Sequence, residues 1–427
     1  MSKFNKCLLK DIAVSQTGPF GSQLHEEDYV QNGTPIVTVE HLGEIGFYLH
    51  NLPMVSDKDK ARLSKYTLNE GDIVFSRVGS IDKCTYVSKK EEGWLFSGRC
   101  LRVRINEKAD AKFISYYFRQ KHFKSMMLNI SVGATMPSLN TTLMDNIPLY
   151  LPSKDEQQKI ASVLSALDAK IELNQRINAE LEAMAKTIYD YWFVQFDFPD
   201  EHGKPYKSSG GKMVWSEALK REVPAGWEVK ELGEALKTSL GGTPSTHNKV
   251  FWENASIPWL NSGDIANFPV IRPSSHISQQ GVDNSAATLL PKGSVVISVV
   301  RYIRPSIIAF DACTNQSVVG IRESEELKNA FIYPFLVNEV PRLMQLRTGA
   351  QQPHINKEIV DATNVCIPEK NVLKKYYKLN EPIYKQIINL AFESQTFTEL
   401  RDWLLPMLMN GQVTVKTQDD IGNPNAS

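Results

Sequence analysis

Cysteine is scarce and poorly placed for chemistry. Cys7, Cys84, Cys100, Cys313 and Cys366 are odd in number, widely spaced and never form a CxxC pair, which excludes a disulfide framework and a zinc ribbon and leaves reduced filler residues. No apolar run approaches the ~20 residues that span a bilayer, and the polar opening MSKFNKCLLKD lacks the apolar stretch of a signal peptide, so no membrane association and a cytoplasmic location are expected. Net charge is also missing: 48 Lys plus Arg balance 48 Asp plus Glu, so any anionic partner must be met by a local patch. The eight histidines (His25, His41, His50, His122, His202, His247, His276, His354) form no HExxH or close pair, which argues against a metal or general-base centre. There is no GxxxxGK[ST] loop for ATP. The carboxylates form no acid and base constellation, so neither a nuclease nor any other catalytic centre is indicated.

What the chain has is a repeat. VGATMPSLNTTLMDNIPLYLP, from Val132, matches TGAQQPHINKEIVDATNVCIP, from Thr348, without a gap at an offset of 216 residues. Before the first copy lie short β-like runs at Pro35 to Leu42, Gly71 to Gly79 and Leu101 to Ile105. Before the second lie counterparts at Ile257 to Ile265, Lys292 to Val300 and Asn315 to Ile321, brief and rich in β-branched residues as strands are. Phe113-Ile-Ser-Tyr-Tyr-Phe matches Phe331-Ile-Tyr-Pro-Phe-Leu in turn. At 427 residues the chain has room for two such mixed α/β domains.

A long helix-compatible segment follows each copy. Ser153 and Glu156 form a capping-box signature, after which Ile160, Leu164, Leu167, Ile171, Ile177, Leu181, Met184, Ile188 and Tyr191 trace a near-heptad seam interrupted by Asn174 and Asn178. The second segment carries Ile383, Ile387, Leu390, Ser394, Phe397, Leu400, Leu404 and Leu408 and ends at Gly411, a C-cap candidate, with Pro382 expected to kink or restart it. Each helix could pack on its own domain. Two long helices at a repeat offset favour packing on each other, antiparallel about a pseudo-two-fold axis, with the asparagines fixing register. Roughly 40 residues at ~1.5 Å each make a rod of about 60 Å.

The doubled G-A-x-x-P-x-[LI]-N, the segment DEQQKIASVLSALDAKIELNQRINAELEAMAKTIYDYWFVQFDFP, the stretch GKMVWSEALKREVPAGWEVKELGE, GPFGSQL at Gly18, LGGTPS at Leu240 and TNQS at Thr314 together resemble the specificity (S) subunit of type I DNA restriction-modification systems, over about Leu9 to Val413. The resemblance implies an α/β (mixed α+β) chain of two similar target recognition domains separated by two long antiparallel coiled-coil helices. Its parts would be recognition domain 1 (1–152), a central spacer helix (153–196), a linker (197–226), recognition domain 2 (227–368), a distal spacer helix (369–413) and a flexible tail (414–427). It implies a non-catalytic reader of double-stranded DNA, each domain binding half of a bipartite asymmetric site. The helices would set the gap and dock two methyltransferase (M) subunits that carry S-adenosylmethionine and methylate adenine. Restriction (R) subunits would join with ATP and Mg. The chain itself lacks the glycine-rich loop and the acidic-or-Asn, Pro-Pro, aromatic tetrapeptide of an adenine methyltransferase. A duplicated protein-interaction scaffold is the competing reading, and zero net charge permits it.

For DNA contact, the window Ser76 to Lys124 holds 12 Lys plus Arg against 5 Asp plus Glu, a candidate phosphate surface. Arg77, Lys83, Arg99 and Arg102 lie on or between its strand-like runs, and Ser22 lies in GPFGSQL. Lys89 and Lys90 beside Glu91 and Glu92 could equally be a solvated turn. In the second half Arg301, Arg304 and Arg347 are candidate guanine or phosphate contacts, and Asn261, Asn315 and Gln316 candidate readers of adenine edges. Thr243 and Ser245 belong to LGGTPS, whose small residues would let a backbone approach phosphate closely or simply make a tight turn. The helix-pairing set is Ile160, Leu164, Leu167, Ile171, Leu181, Ile188, Ile387, Leu390, Phe397 and Leu404.

Overall fold

The computed structural model describes residues 4–19, 23–131, 137–349 and 351–416. It divides into two units, residues 1–171 with 396–427, and residues 172–395. Among the described residues no helix is long and apolar enough to cross a membrane.

The first unit is built on a four-stranded antiparallel sheet, β1 (Ala13–Thr17), β2 (Asp72–Ser76), β3 (Cys84–Tyr86) and β4 (Cys100–Ile105), in the order β1-β4-β2-β3. Helices α1 (Ala111–Arg119) and α2 (Lys121–Ile130) follow. The aromatic run of α1 supplies Phe113, Tyr116 and Phe118 to one core with Ile73, Phe75, Leu101 and Val103, Phe118 meeting Phe75 edge-on at 5.0 Å. The opposite face of the sheet is also covered, by Val37, Phe96 and their neighbours, so β4 is sandwiched rather than half-exposed. Thr34–Val37 and Leu95–Phe96 pair in parallel within a second small sheet. Helix α3 (Lys154–Tyr189) starts here, with the Ser153 hydroxyl accepting from the Glu156 N–H.

The second unit repeats the plan. Its sheet comprises β5 (Thr238–Leu240), β6 (Val295–Ser298), β7 (Arg304–Ile307) and β8 (Val318–Ile321) in the order β5-β8-β6-β7, again wholly antiparallel. Helix α4 (Asn329–Gln345) lays Phe331, Ile332 and Leu336 against Val295 and Ile297. Ile257–Leu260 pairs in parallel with Cys313–Thr314, the counterpart of the first unit's parallel pair. Helix α5 (Lys370–Met409) follows, unbroken through Pro382. Gly411 closes it at φ +74° as a left-handed C-cap.

The long helices pair within each unit. In the second unit the Asn174 amide donates to Glu393 at 2.7 Å and Asn178 to the Ile387 carbonyl at 3.2 Å, so position rises on α3 as it falls on α5, an antiparallel arrangement. In the first unit Arg401 donates to Asp168 at 2.9 Å. The helices pack on their domains as well: Ile160 and Leu164 share a core with Leu408 and the β-sheet, and Tyr189 one with Ile387 and Phe331.

The seam differs from a strict heptad. Ile160, Leu164, Ile171, Ile387 and Leu390 are buried, and Leu167, Leu181, Ile188, Phe397 and Leu404 are half-buried. Met184, Tyr191 and Leu400, however, are exposed, while Asp168, Asn174, Ala185, Tyr189 and Arg401 are buried. A helix of 3.6 residues per turn drifts ~20° per heptad, which rotates the apolar stripe off the assumed positions and brings in polar side chains that need partners. Asp168 has three: Tyr116 at 2.7 Å, Arg119 at 3.0 Å and Arg401. Burial pushes its carboxyl up, but Arg119, Tyr116 and Arg401 outweigh that and hold it below the ordinary carboxylate range.

Candidate nucleic-acid interface

In each sheet one end gathers the candidate residues. The end of β1, the start of β4, the end of β2 and the start of β3 lie side by side: Gly18 N–H donates to Cys100 O, Arg77 N–H to Arg99 O, and Ser76 N–H to Lys83 O. In the second unit the ends of β5 and β6 and the starts of β8 and β7 do the same. There Gly242 N–H donates to Thr314 O, Val299 N–H to Ser317 O, and Asn315 N–H to Leu260 O beside Asn261. Thr243, Asn315, Gln316, Arg301 and Arg304, distant in sequence, therefore meet at one sheet end.

Residues 137–140 and 353–356 of the repeated segment brace both ends, and the asparagines follow from a capping task. Leu139 N–H donates to Arg77 O and Ile355 N–H to Val299 O at 2.9 Å each, while Pro137 O accepts from Gly79 N–H at 3.0 Å and Pro353 O from Arg301 N–H at 2.7 Å. The Asn140 and Asn356 side chains then cap short helices, accepting from Leu143 and Ile359 N–H at 2.8 and 3.0 Å. Gly133, Ala134 and Ala350 of the motif lie outside the described residues, as does Ser22.

These hydrogen bonds put the two hairpins in register: Ser76 with Ser298, Gly79 with Arg301, Ser80 with Tyr302, and the buried Ile81 with the buried Ile303. The second strand resumes at Lys83 in one and Arg304 in the other, the first loop being one residue longer. Gly79 has φ +80° and Arg301 φ +60°, so a non-glycine residue occupies a left-handed position that the first hairpin gives to glycine.

The candidate side chains separate into two groups. Lys83, Arg99, Thr243, Ser245, Arg301, Arg304 and Gln316 are exposed, with Thr243 donating to Gln316. The others are committed internally. Arg102 is only 6% exposed, lies over the Phe96 ring and donates to Thr67 O and to Gln16, so it holds strands together rather than facing a ligand. Arg77 bonds Leu139 O and Gly98 O, and Arg347 bonds Met344 O and Arg301 O. Asn261 accepts from Gly263 N–H, and Asn315 from Ser317 N–H, in local turns. The basic window is also partly neutralised: Arg104 pairs with Asp72, Lys89 with Glu92, Arg119 with Asp168 and Lys124 with Glu44. The glycines of LGGTPS have an internal reason, since a Cβ at Gly241 would lie 2.2 Å from Thr314 O and one at Gly242 2.5 Å from the Ala286 carbonyl carbon. Tyr302, 62% exposed beside Arg304, was not singled out by sequence; alignment of the two hairpins is the signal that exposes it.

Residues 1–183 and 224–391 match the family described as type I restriction modification DNA specificity domain. The chain belongs to that specificity family. Among its relatives, the specificity subunit of type I restriction enzyme MjaIX from Methanocaldococcus jannaschii is 28% identical over 312 residues, covering 72% of this chain and 70% of the relative. The HindI specificity subunit from Haemophilus influenzae is 24% identical over 443 residues, covering 90% and 95%. The fold is shared with the crystal structure of a type I restriction-modification S subunit from M. genitalium, with a TM-score of 0.59, 14% identity and 97% of each chain covered. Specificity subunits are thus the setting in which the two sheet ends are to be understood.

Proposed function

We propose that this specificity chain is the non-catalytic DNA reader of a type I restriction-modification assembly. In this reading residues 1–152 and 227–368 each bind one half of a bipartite asymmetric site. The helices set the gap and hold two methyltransferase subunits, which bring S-adenosylmethionine and methylate an adenine in each half. Restriction subunits bring ATP and Mg for translocation and cleavage. The observation that carries the reading is the pair of equivalent sheet ends, built on the same backbone hydrogen bonds yet presenting different exposed side chains: Lys83 and Arg99 in one, Arg301, Arg304 and Gln316 in the other. A common frame with divergent tips suits two different half-sites; guanidinium and amide groups at strand ends are the chemistry that reads base edges. Docking of protein partners on the helices is supported by the exposed apolar side chains Leu400 and Trp403 on α5, the latter 56% exposed.

The test is to insert four residues, about one helical turn, within Ala179 to Ala183 and to map methylated sites by methylation-sensitive sequencing in cells that also carry the methyltransferase partner. Altered spacing with unchanged half-site bases is expected. Altered bases with unchanged spacing would overturn the reading.

A further inference from the structure

We infer that Tyr302, steadied by Arg304, is a base-contacting residue of the second domain, and that the first domain has no aromatic counterpart at the equivalent position. The inference rests on the DNA-reading function proposed above and names a residue that determines its specificity.

The two hairpins share a frame and differ at the tip. Both are pinned at the same place, by Pro137 O on Gly79 and Pro353 O on Arg301, and both bury an isoleucine just beyond, Ile81 or Ile303. Between these anchors the first hairpin carries Gly79 and Ser80, the second Arg301 and Tyr302. A bare turn would need nothing larger than the glycine and serine. The second hairpin instead places an arginine in a left-handed conformation, φ +60°, and keeps it there by two contacts, the Pro353 bond to its N–H and a bond from Arg347 to its carbonyl. Strained backbone that the surroundings over-determine clusters at ligand-contacting sites.

The residue that follows is an aromatic exposed to solvent. Tyr302 is 62% exposed although the next residue is buried, and the Arg304 guanidinium lies 5.0 Å from its ring centroid, within cation–π range. Arg304 opens β7, so its backbone is fixed by the sheet. A ring and a guanidinium held together form a pair that the base edges of duplex DNA can use: the guanidinium can bond guanine N7 and O6, and the ring can pack on a thymine methyl. The equivalent strand in the first unit resumes at Lys83, a point charge rather than a planar fork, with Ser80 in place of a ring.

The experiment uses the full chain assembled with its methyltransferase partner, on duplexes carrying the methylated site with each base pair varied in turn, at several salt concentrations. Tyr302→Ala is expected to lose roughly 10-fold discrimination at one or two adjacent base pairs of one half-site. The other half-site should be unaffected, the slope of log affinity against log salt unchanged because no charge is removed, and the melting temperature unchanged. Tyr302→Phe should keep most of the discrimination. Full discrimination retained by Tyr302→Ala overturns the inference while leaving the DNA-reading function intact. Uniform loss at every sequence with a lower melting temperature also overturns it, since that is the signature of a structural role. A wild-type assembly with no sequence preference removes the DNA-reading function itself, and this inference with it.

Discussion

Arg401, on the last turns of α5, donates a hydrogen bond at 2.9 Å to Asp168 on α3, and Arg119 and Tyr116 complete the shell around that carboxylate. Asp168 is 5% exposed, so this is a charge removed from water and kept ionised by its partners. Removing one member of a buried ion pair strands the other, at about 3–5 kcal/mol. Asp168→Asn is therefore expected to lower stability to a degree visible in chemical denaturation. Because the folded carboxyl titrates below the ordinary ~3.9, its contribution is complete above that pH and disappears as pH falls through the folded value. The wild-type protein should lose stability below about pH 4 more steeply than Asp168→Asn; parallel acid profiles would show that the carboxylate contributes nothing.

Arg102 and the pair Lys83 and Arg99 should part company under substitution. Arg102→Ala leaves Gln16 Oε1 without its donor and Thr67 O with Arg104 alone, and is expected to destabilise by about 1–3 kcal/mol, read as a lower denaturation midpoint. Lys83→Ala with Arg99→Ala touches exposed side chains and should leave the midpoint alone while weakening DNA binding. If both contact phosphate, the salt slope of binding should fall by about two.

The asparagines that end the repeated motif cap equivalent helices. Asn140→Ala and Asn356→Ala should each cost about 1 kcal/mol, while Asp at either position should restore it. A difference of several kcal/mol between the two would mean that the units do not share this device.

Four of the cysteines should resist alkylation in the folded protein. Burial pushes the Cys84 and Cys313 thiols up to about 11 and those of Cys100 and Cys366 to about 12, the last in spite of nearby Arg221, so at pH 8 the reactive thiolate is a minute fraction. Iodoacetamide at that pH should label these positions only after denaturation, as peptide mass mapping would show.

Much of the frame was legible because it rests on local pattern. The strand runs, the N-cap at Ser153 and the C-cap at Gly411 depend on turn residues and period, and they appear where those signals lie. The site was less legible. Arg102 sits in a strand covered on both faces, so alternation of Leu101, Arg102 and Val103 did not mark it as internal; only Phe96, Gln16 and Thr67, brought from elsewhere, do so. Asp168 and Arg401 do not show in a heptad seam sought among apolar residues, because Asp168 is held by Tyr116 and Arg119 from α1 and Arg401 in turn by Asp168. Asn174 and Asn178 were legible for the opposite reason: a polar interruption of an apolar stripe announces itself.

The hydrogen bonds that Pro137 O and Pro353 O accept engage only backbone groups of the tips they hold, and those groups are the same whether the side chains are those of Gly79 and Ser80 or of Arg301 and Tyr302. Apart from the left-handed position of Gly79 and Arg301, the frame is thereby insulated from the identity of the side chain. In the DNA-reading role proposed above, substitutions at Ser80 or Tyr302 would change what the chain recognises while leaving these backbone hydrogen bonds in place.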